Sequence, residues 1–331
     1  MQLPYTLRTG IYPEIDLERL AGSLSGKNAL ITGSGRGIGQ EIAMAMAQAG
    51  ANVCITARTS SQVKETKSEI VNLGLKSKVI GIVADVLKLK DQERLVREFR
   101  EQLSPVDILV CNAGSNIFQP FHLTDATEWW DIMELNVRAP VELTRLVLPE
   151  MRERSQAVII YTSSRAATAD LPWTTAYNCA KTSITRFAGT LQVELDQLQK
   201  IEKGVDNNIS VFSIHPGEIE TKLHETGFPE KTKREAPYVI EHMAKIGAKR
   251  PHFDAALPAW TCVWLSSGKA SALRGRSPDD GVINTAKLEH YPKWFTGPDA
   301  ATAFKAKGEI AKFEYYPEWF ATEGSALASE V

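Results

Sequence analysis

The chain has 331 residues, 43% hydrophobic and 24% charged, with a formal net charge of −2. A balance this close to neutral excludes a protein whose main partner is nucleic acid, and the ordinary mix of residue types excludes a disordered or fibrous chain. No apolar run reaches the roughly 18 residues of a membrane span, and the N-terminal MQLPYTLRTGIYPEIDLERL lacks the apolar centre of a signal peptide, so the expected address is the cytoplasm.

Residues 1–26 read as an N-terminal extension. From residue 27 short apolar runs alternate with helical stretches: KNALITG, GIGQEIAMAMAQAG, ANVCITA, SSQVKETKSEIVNLG, KVIGIVAD and LKDQERLVREFREQL. VDILVCNAG, one long helix from about Thr124 to Met151, AVIIYTSS, the helix carrying YNCAK, and NISVFSIHPG follow, with a last short run near GVINTA. Strand-like runs alternating with helices predict an α/β fold, a doubly wound parallel sheet of Rossmann type, in a single domain over 27–285. The runs are apolar throughout, as expected of strands covered on both faces. Cys54 and Cys111 lie inside such runs and read as buried thiols, and neither the cysteines nor the histidines have the spacing of a metal site.

TGSGRGIG (Thr32 to Gly39) falls between the first strand and the first long helix, where glycine lets backbone approach a pyrophosphate and the helix N-terminus faces its charge. A tight turn that needs glycine for conformation alone reads the same way locally. An acidic residue about 20 positions on commonly holds the ribose 2′-hydroxyl. Here that place holds Ala57 and Arg58. With Arg36 inside the loop, two guanidinium groups stand where a 2′-phosphate would lie, so NADP(H) is the expected cofactor. Both arginines being plain surface residues is the alternative.

In YNCAK, Tyr177 and Lys181 are one helical turn apart and share a face. Working as an acid/base near pH 7 requires a phenol shift of about 3 units, roughly 4 kcal/mol, and a neighbouring ammonium in a cleft is the expected source. Such a pair on a solvated face is also a common accident.

TGSGRGIG, Asp85-Val86, CNAG at 111–114, Asn136 in LNV, TSS at 162–164, YNCAK and HPGEIET at 215–221 occur in this order. Together they resemble the short-chain dehydrogenase/reductase family over roughly residues 27–285. The resemblance implies Tyr177 as proton donor or acceptor, Lys181 as the group that lowers its pKa and holds the nicotinamide ribose, Ser164 as the carbonyl-orienting hydroxyl, and Asn136 as part of a water-linked proton path. Ser164 is preferred to Ser163 because it lies thirteen residues before Tyr177, the family's usual spacing. The cofactor set that the motifs imply comprises Gly33, Ser34, Arg36, Gly37, Ile38, Gly39 and Arg58, with Asp85 and Val86 at the adenine. Asn112, Ala113 and Gly114 line it, and Pro216, Gly217, Ile219 and Thr221 flank the nicotinamide. No metal is implied. Hydride transfer between NADP(H) and a ketone or secondary alcohol follows; a lyase or epimerase on the same fold, or a dinucleotide-binding sensor or scaffold, are the alternatives.

Substrate choice is expected in 115–121, 165–173 and the loop 222–258, with Phe118, Trp173 and Phe228 as pocket candidates or plain packing. Arg165 stands where the family generally has small residues, either touching substrate or lying on the surface. In the resembling family the helix with Trp129, Trp130 and Ile132 and the YNCAK helix pair across a two-fold axis, so a homodimer or homotetramer is expected. YPKWF at 291–295 recurs as YPEWF at 316–320, so the extension 286–331 is expected to dock rather than stay disordered. The YPEI segment and aromatic tail are similar to fungal members of the family that act in secondary metabolism.

Overall fold

The computed structural model describes residues 8–202, 208–219, 227–248, 252–270 and 283–284. Strands β1 (Asn28–Thr32), β2 (Asn52–Ala57), β3 (Val79–Val83), β4 (Ile108–Cys111), β5 (Gln156–Thr162), β6 (Asn208–His215) and β7 (Ile283–Asn284) form one sheet. Its order is β3-β2-β1-β4-β5-β6-β7, and every pair is parallel. The order reverses between β1 and β4, so the ends of these two strands flank the crevice where ligands bind in open parallel sheets.

Side chains alternate across the sheet. Ile31, Ile55, Val110 and Phe212 point to one face and meet α2 (Gly37–Gln48), α3 (Ser60–Asn72) and α10 (Ala256–Ser266). Leu30, Cys54, Leu109 and Tyr161 point to the other and meet α4 (Leu89–Leu103), α6 (Ala139–Glu153) and α7 (Thr175–Ile201). Cys54 and Cys111 are buried, and burial pushes both thiols up. The N-terminal segment is part of the first core: Tyr12 and Ile15, then Leu20 of the short helix α1 (Leu17–Leu20), and Leu24 after it, pack into it. The expectation of strands covered on both faces fails at one place. β3 is an edge strand, so Val79 and Val83 are partly open to solvent and its burial alternates, whereas the covered strands are apolar on both faces.

The expected helix from Thr124 to Met151 is broken into α5 (Ala126–Met133), a π-helical turn Glu134–Arg138, and α6. Asp125 starts α5 with a capping box closed by Glu128. Pro140 has no N–H to give the Asn136 carbonyl, and the Ala139 N–H reaches back to Glu134 instead, five residues away. Thr221, residues 222–226 and 249–251 of the expected substrate loop, and the aromatic repeats of the C-terminal extension lie outside the described residues. The remaining part of that loop contains α8 (Glu230–Glu235) and α9 (Pro237–Ala248).

Candidate active site

The turn after β1 is built on glycine. Gly33 has φ 66°, and a Cβ there would sit 2.9 Å from the Ala113 Cα. A Cβ on Gly39 would strike the Gly33 carbonyl and the Asn112 side-chain amide, so glycine lets α2 seat against the ends of β1 and β4. Gly37, Ile38 and Gly39 form the first turn of α2, where backbone N–H groups have no helical acceptor and carry the positive end of the helix. Arg36 precedes the helix and Arg58 follows β2; both are exposed. The Ser34 hydroxyl is turned inward: it donates to the Ile31 carbonyl at 2.7 Å and accepts from the Thr56 N–H at 2.8 Å, tying β1 to β2. Its side chain is therefore committed to the sheet.

Asp85 and Val86 follow β3. The Asp85 carboxylate accepts from the Leu87 N–H at 3.1 Å, and the Val86 carbonyl accepts from Gln92 Nε2 at 2.5 Å. Asn112 and Ala113 both donate backbone N–H groups to Thr32 Oγ1, at 3.0 and 3.1 Å, and Asn112 Nδ2 donates to the Thr32 carbonyl at 3.2 Å. Asn112 thus braces the crevice between β1 and β4. Gly114 makes room instead. A Cβ there would lie 2.7 Å from Asn136 Oδ1 and 3.6 Å from Lys181 Nζ, so its absence lets those groups converge.

Asn136 sits in the π turn and is 2% exposed. Its Nδ2 donates to the carbonyls of Ser115 and Ile132, both at 2.9 Å. Its Oδ1 is buried with no hydrogen-bond partner among the described residues. A buried acceptor left this way calls for a water or ligand donor.

Tyr177 and Lys181 share one face of α7. Lys181 Nζ lies 5.3 Å from the Tyr177 ring centroid and donates to the Thr162 carbonyl at 2.7 Å. Ser164 follows β5; its hydroxyl accepts from the Ala166 N–H at 3.1 Å and lies close enough to the Tyr177 phenol to favour its ionised form. Ser163 points the other way and pairs with Thr185 Oγ1 at 2.5 Å inside the protein. Alternation along the strand end separates the two serines. After β6, Pro216 and Ile219 are buried, and Gly217 at φ 99° backs onto Phe253, where a Cβ would come within 2.9 Å of the ring.

The expected electrostatic coupling differs. Among the protein's own groups, burial pushes the Tyr177 phenol up to about 12, the nearby Ser164 hydroxyl works against this, and the Glu218 charge adds to it. Burial alone pulls the Lys181 amine down to about 7. Desolvation disfavours the charged form of each. Lys181 therefore stands near neutrality in its site and does not itself pull Tyr177 down. Glu218 was missed in the sequence, although it lies within the HPGEIET motif; its signal was a carboxylate two residues beyond Pro216.

The buried amine couples stability to pH. Because the folded pKa is below the ordinary lysine value near 10.4, the unfolded chain binds the proton first. Burial of Lys181 then costs nothing well above pH 10, costs more as pH falls, and levels off below about 7. Lys181→Met loses one hydrogen bond but escapes this cost, so it is expected to stabilise the fold by on the order of 2 kcal/mol at pH 7 and by much less at pH 10. Denaturant titrations of both proteins at the two pH values check this; an equal effect at both overturns it.

The three pocket aromatics pack on one another's neighbours. Phe118 stacks on Phe228 at 5.0 Å, Trp173 meets His242 edge-on at 4.8 Å, and both join Ala236 and Val239 in a small satellite core. The Phe118 N–H donates to the Gly227 carbonyl at 2.7 Å and Thr232 Oγ1 to the Phe118 carbonyl at 3.1 Å, so the loop after β4 and the α8–α9 segment form one wall.

A parallel sheet whose order reverses beside a glycine turn and a helix N-terminus is the arrangement of a dinucleotide-binding α/β fold. The chain belongs to the short-chain dehydrogenase/reductase family: residues 27–232 match the short chain dehydrogenase family. It is 34% identical over 287 residues to a short chain dehydrogenase of Pseudocercospora fijiensis (strain CIRAD86), covering 85% of this chain and 89% of that one. It is 32% identical to human dehydrogenase/reductase SDR family member 4, covering 72% and 82%. A provisionally assigned short-chain alcohol dehydrogenase from Sinorhizobium meliloti 1021 superposes with a TM-score of 0.66 at 26% identity, over 85% of this chain and 99% of that one. Levodione reductase shares the fold, with a TM-score of 0.68 at 21% identity over 81% and 99%. Members of this family bind a nicotinamide dinucleotide and act on small molecules. Among the described residues no helix is long and apolar enough to cross a membrane.

Proposed function

We propose that the protein is an NADP(H)-dependent oxidoreductase that interconverts a ketone and a secondary alcohol. The observation that carries this reading is Tyr177 and Lys181 on one helix face, the Lys181 Nζ 5.3 Å from the Tyr177 ring, with the Ser164 hydroxyl near the phenol at the strand ends beside the glycine turn. When bound, the nicotinamide supplies or takes up the hydride. The residues fit such a cofactor: α2 offers its first-turn N–H groups, and the buried, unpartnered Asn136 Oδ1 faces the gap that Gly114 leaves beside Lys181.

In this reading Tyr177 and Ser164 both donate to the substrate oxygen, and the phenol gives up its proton as negative charge develops there. A phenol held near 12 is protonated at neutral pH, which suits the reductive direction. Lys181 and Asn136, joined through a water at Oδ1, would hold the proton that is returned to Tyr177. Arg36 and Arg58, both exposed beside the turn and with no carboxylate in place of Ala57, support NADP(H) over NAD(H). The likeness to the Pseudocercospora chain supports a fungal-type member.

A panel of ketones and secondary alcohols, followed by absorbance of the reduced nicotinamide with NADPH and with NADH, tests the reading. Turnover of at least one ketone with NADPH is expected; none with either cofactor overturns it. A homodimer or homotetramer belongs to the same proposal. Trp130, at 60% exposed on α5, and Val193, at 55% on α7, leave apolar surface that pairing of these helices would cover. Light scattering at micromolar concentration is expected to give twice or four times the 36.5 kDa chain mass, and a monomer refutes it.

A further inference from the structure

Two large aromatic side chains stand open to solvent where the pocket wall is assembled: Phe121 is 67% exposed and Tyr238 is 51% exposed. Both border the satellite core of Phe118, Ala236 and Val239, against which Leu123 and Trp173 pack. Phe121 and Leu123 share one short turn, and the Tyr238 ring meets the Trp173 ring edge-on at 6.2 Å. Lys231 of α8 reaches the same turn, its ammonium donating to the Leu123 carbonyl at 2.9 Å. The neighbouring cations of α8 are matched, Lys233 to Glu230 at 2.6 Å and Arg234 to Glu235 at 2.7 Å. Lys231 is in no ion pair among the described residues. Exposed apolar surface edged by charge marks an interaction site.

The chain itself carries a stretch of matching composition. β7 pairs with the end of β6, Asn284 opposite His215, so residues 285–331 leave the sheet on the edge that bears the strand ends and the pocket wall. Extended chain spans about 3.3 to 3.6 Å per residue, so residues 313–320 have length in hand to reach any point on that edge. Their sequence, FEYYPEWF, holds five aromatic side chains and the carboxylates of Glu314 and Glu318, with no cation. The first repeat, YPKWF at 291–295, has Lys293 where the second has Glu318 and would set like charges together at Lys231. Charge therefore selects the second repeat. Pro317 already restricts the backbone, which lowers the ordering cost of docking.

We propose that residues 313–320 dock on this rim of their own chain, with Glu314 or Glu318 at Lys231 and the aromatic side chains over Phe121 and Tyr238. Docked there, the tail fastens α8 and α9 to the loop after β4. Those elements form the pocket wall, so the tail controls how freely the wall opens.

Carbodiimide coupling of the full-length protein joins a lysine to a carboxylate only where the two touch, and mass spectrometry of the digested product maps the bond. The 36.5 kDa single-chain band of a denaturing gel is expected to contain a link from Lys231 to Glu314 or Glu318. In Trp319→Ser/Phe320→Ser, and separately in Phe121→Ser/Tyr238→Ser, the yield of that link is expected to fall at least about tenfold. Amide exchange over residues 230–248 is expected to quicken by a similar factor in the tail variant while β1 and β4 stay as in wild type, since undocking frees the wall and leaves the sheet alone. A link found only in the doubled-mass band places the tail on a second copy and overturns docking on its own chain. Links from Glu314 and Glu318 to other lysines only, a Lys231 link that survives both variants, or unchanged exchange over 230–248 also overturns it. The measurement uses neither cofactor nor substrate, so its outcome is separate from that of the reductase reading.

Discussion

Tyr177→Phe is expected to lower turnover by about 10²- to 10⁴-fold, the usual worth of a positioned general acid, while leaving NADPH affinity nearly intact. The phenol lies near the Ser164 hydroxyl at the strand ends, and the change removes one oxygen without opening a cavity. Lys181 stands one turn away on the same face, its amine held by the Thr162 carbonyl. If the two act as a unit, adding Lys181→Ala to Tyr177→Phe costs far less than the product of the single effects. Steady-state rates of the four proteins decide the matter. A Tyr177→Phe enzyme that keeps more than about a tenth of the wild-type rate would falsify the assignment of the phenol as acid. The pH dependence has a fixed sign as well. Because burial and Glu218 keep Tyr177 protonated through neutrality, alcohol oxidation is expected to rise with pH toward about 12, while ketone reduction holds level.

Arg58→Ala is expected to weaken NADPH by roughly 10- to 150-fold, equivalent to about 1.5 to 3 kcal/mol for a hydrogen bond to a charged group, and to change NADH little. The glycine turn and the end of β2 touch, since a Cβ on Gly35 would lie 3.1 Å from the Ala57 Cβ, and Arg58 is the next residue. Arg36, next to Gly35, and Arg58 are both exposed, so a 2′-phosphate held there would find guanidinium groups and no carboxylate at position 57 or 58. Calorimetric titration of both cofactors reads the effect directly. A wild-type protein that binds NADH more tightly than NADPH sinks this assignment.

Much of the fold was legible because its signals are local. Apolar runs of strand length punctuated by glycine turns specify a covered parallel sheet whatever the rest of the chain does, and all seven runs named in the sequence are strands of that sheet. The Tyr177–Lys181 face needed only the helical period, and the glycines at 33 and 39 only the need for backbone to pass close. The edge strand β3 misled because apolar content reports preference for burial and says nothing of a strand's place in the sheet order.

The tertiary structure determined what local pattern does not carry. Ser34 looks like a phosphate ligand in TGSGRGIG, yet the pairing of β1 with β2 brings the Thr56 N–H and the Ile31 carbonyl to its hydroxyl. The π turn at Asn136 depends on Pro140 withholding an N–H, and its meaning depends on Gly114, from the end of β4, making room for the freed Oδ1. Glu218 and Arg165 are ordinary charges in the sequence until β5 and β6 lie side by side and set them across the same strand ends. The pKa values follow the same logic. A lysine one turn from a tyrosine predicts attraction between an ammonium and a phenolate, but burial of both groups costs more than one turn of separation returns, so each is driven toward its neutral form. Spacing along the chain determined which groups could meet; the sheet's order and the loss of water around them determined what charge they carry when they do.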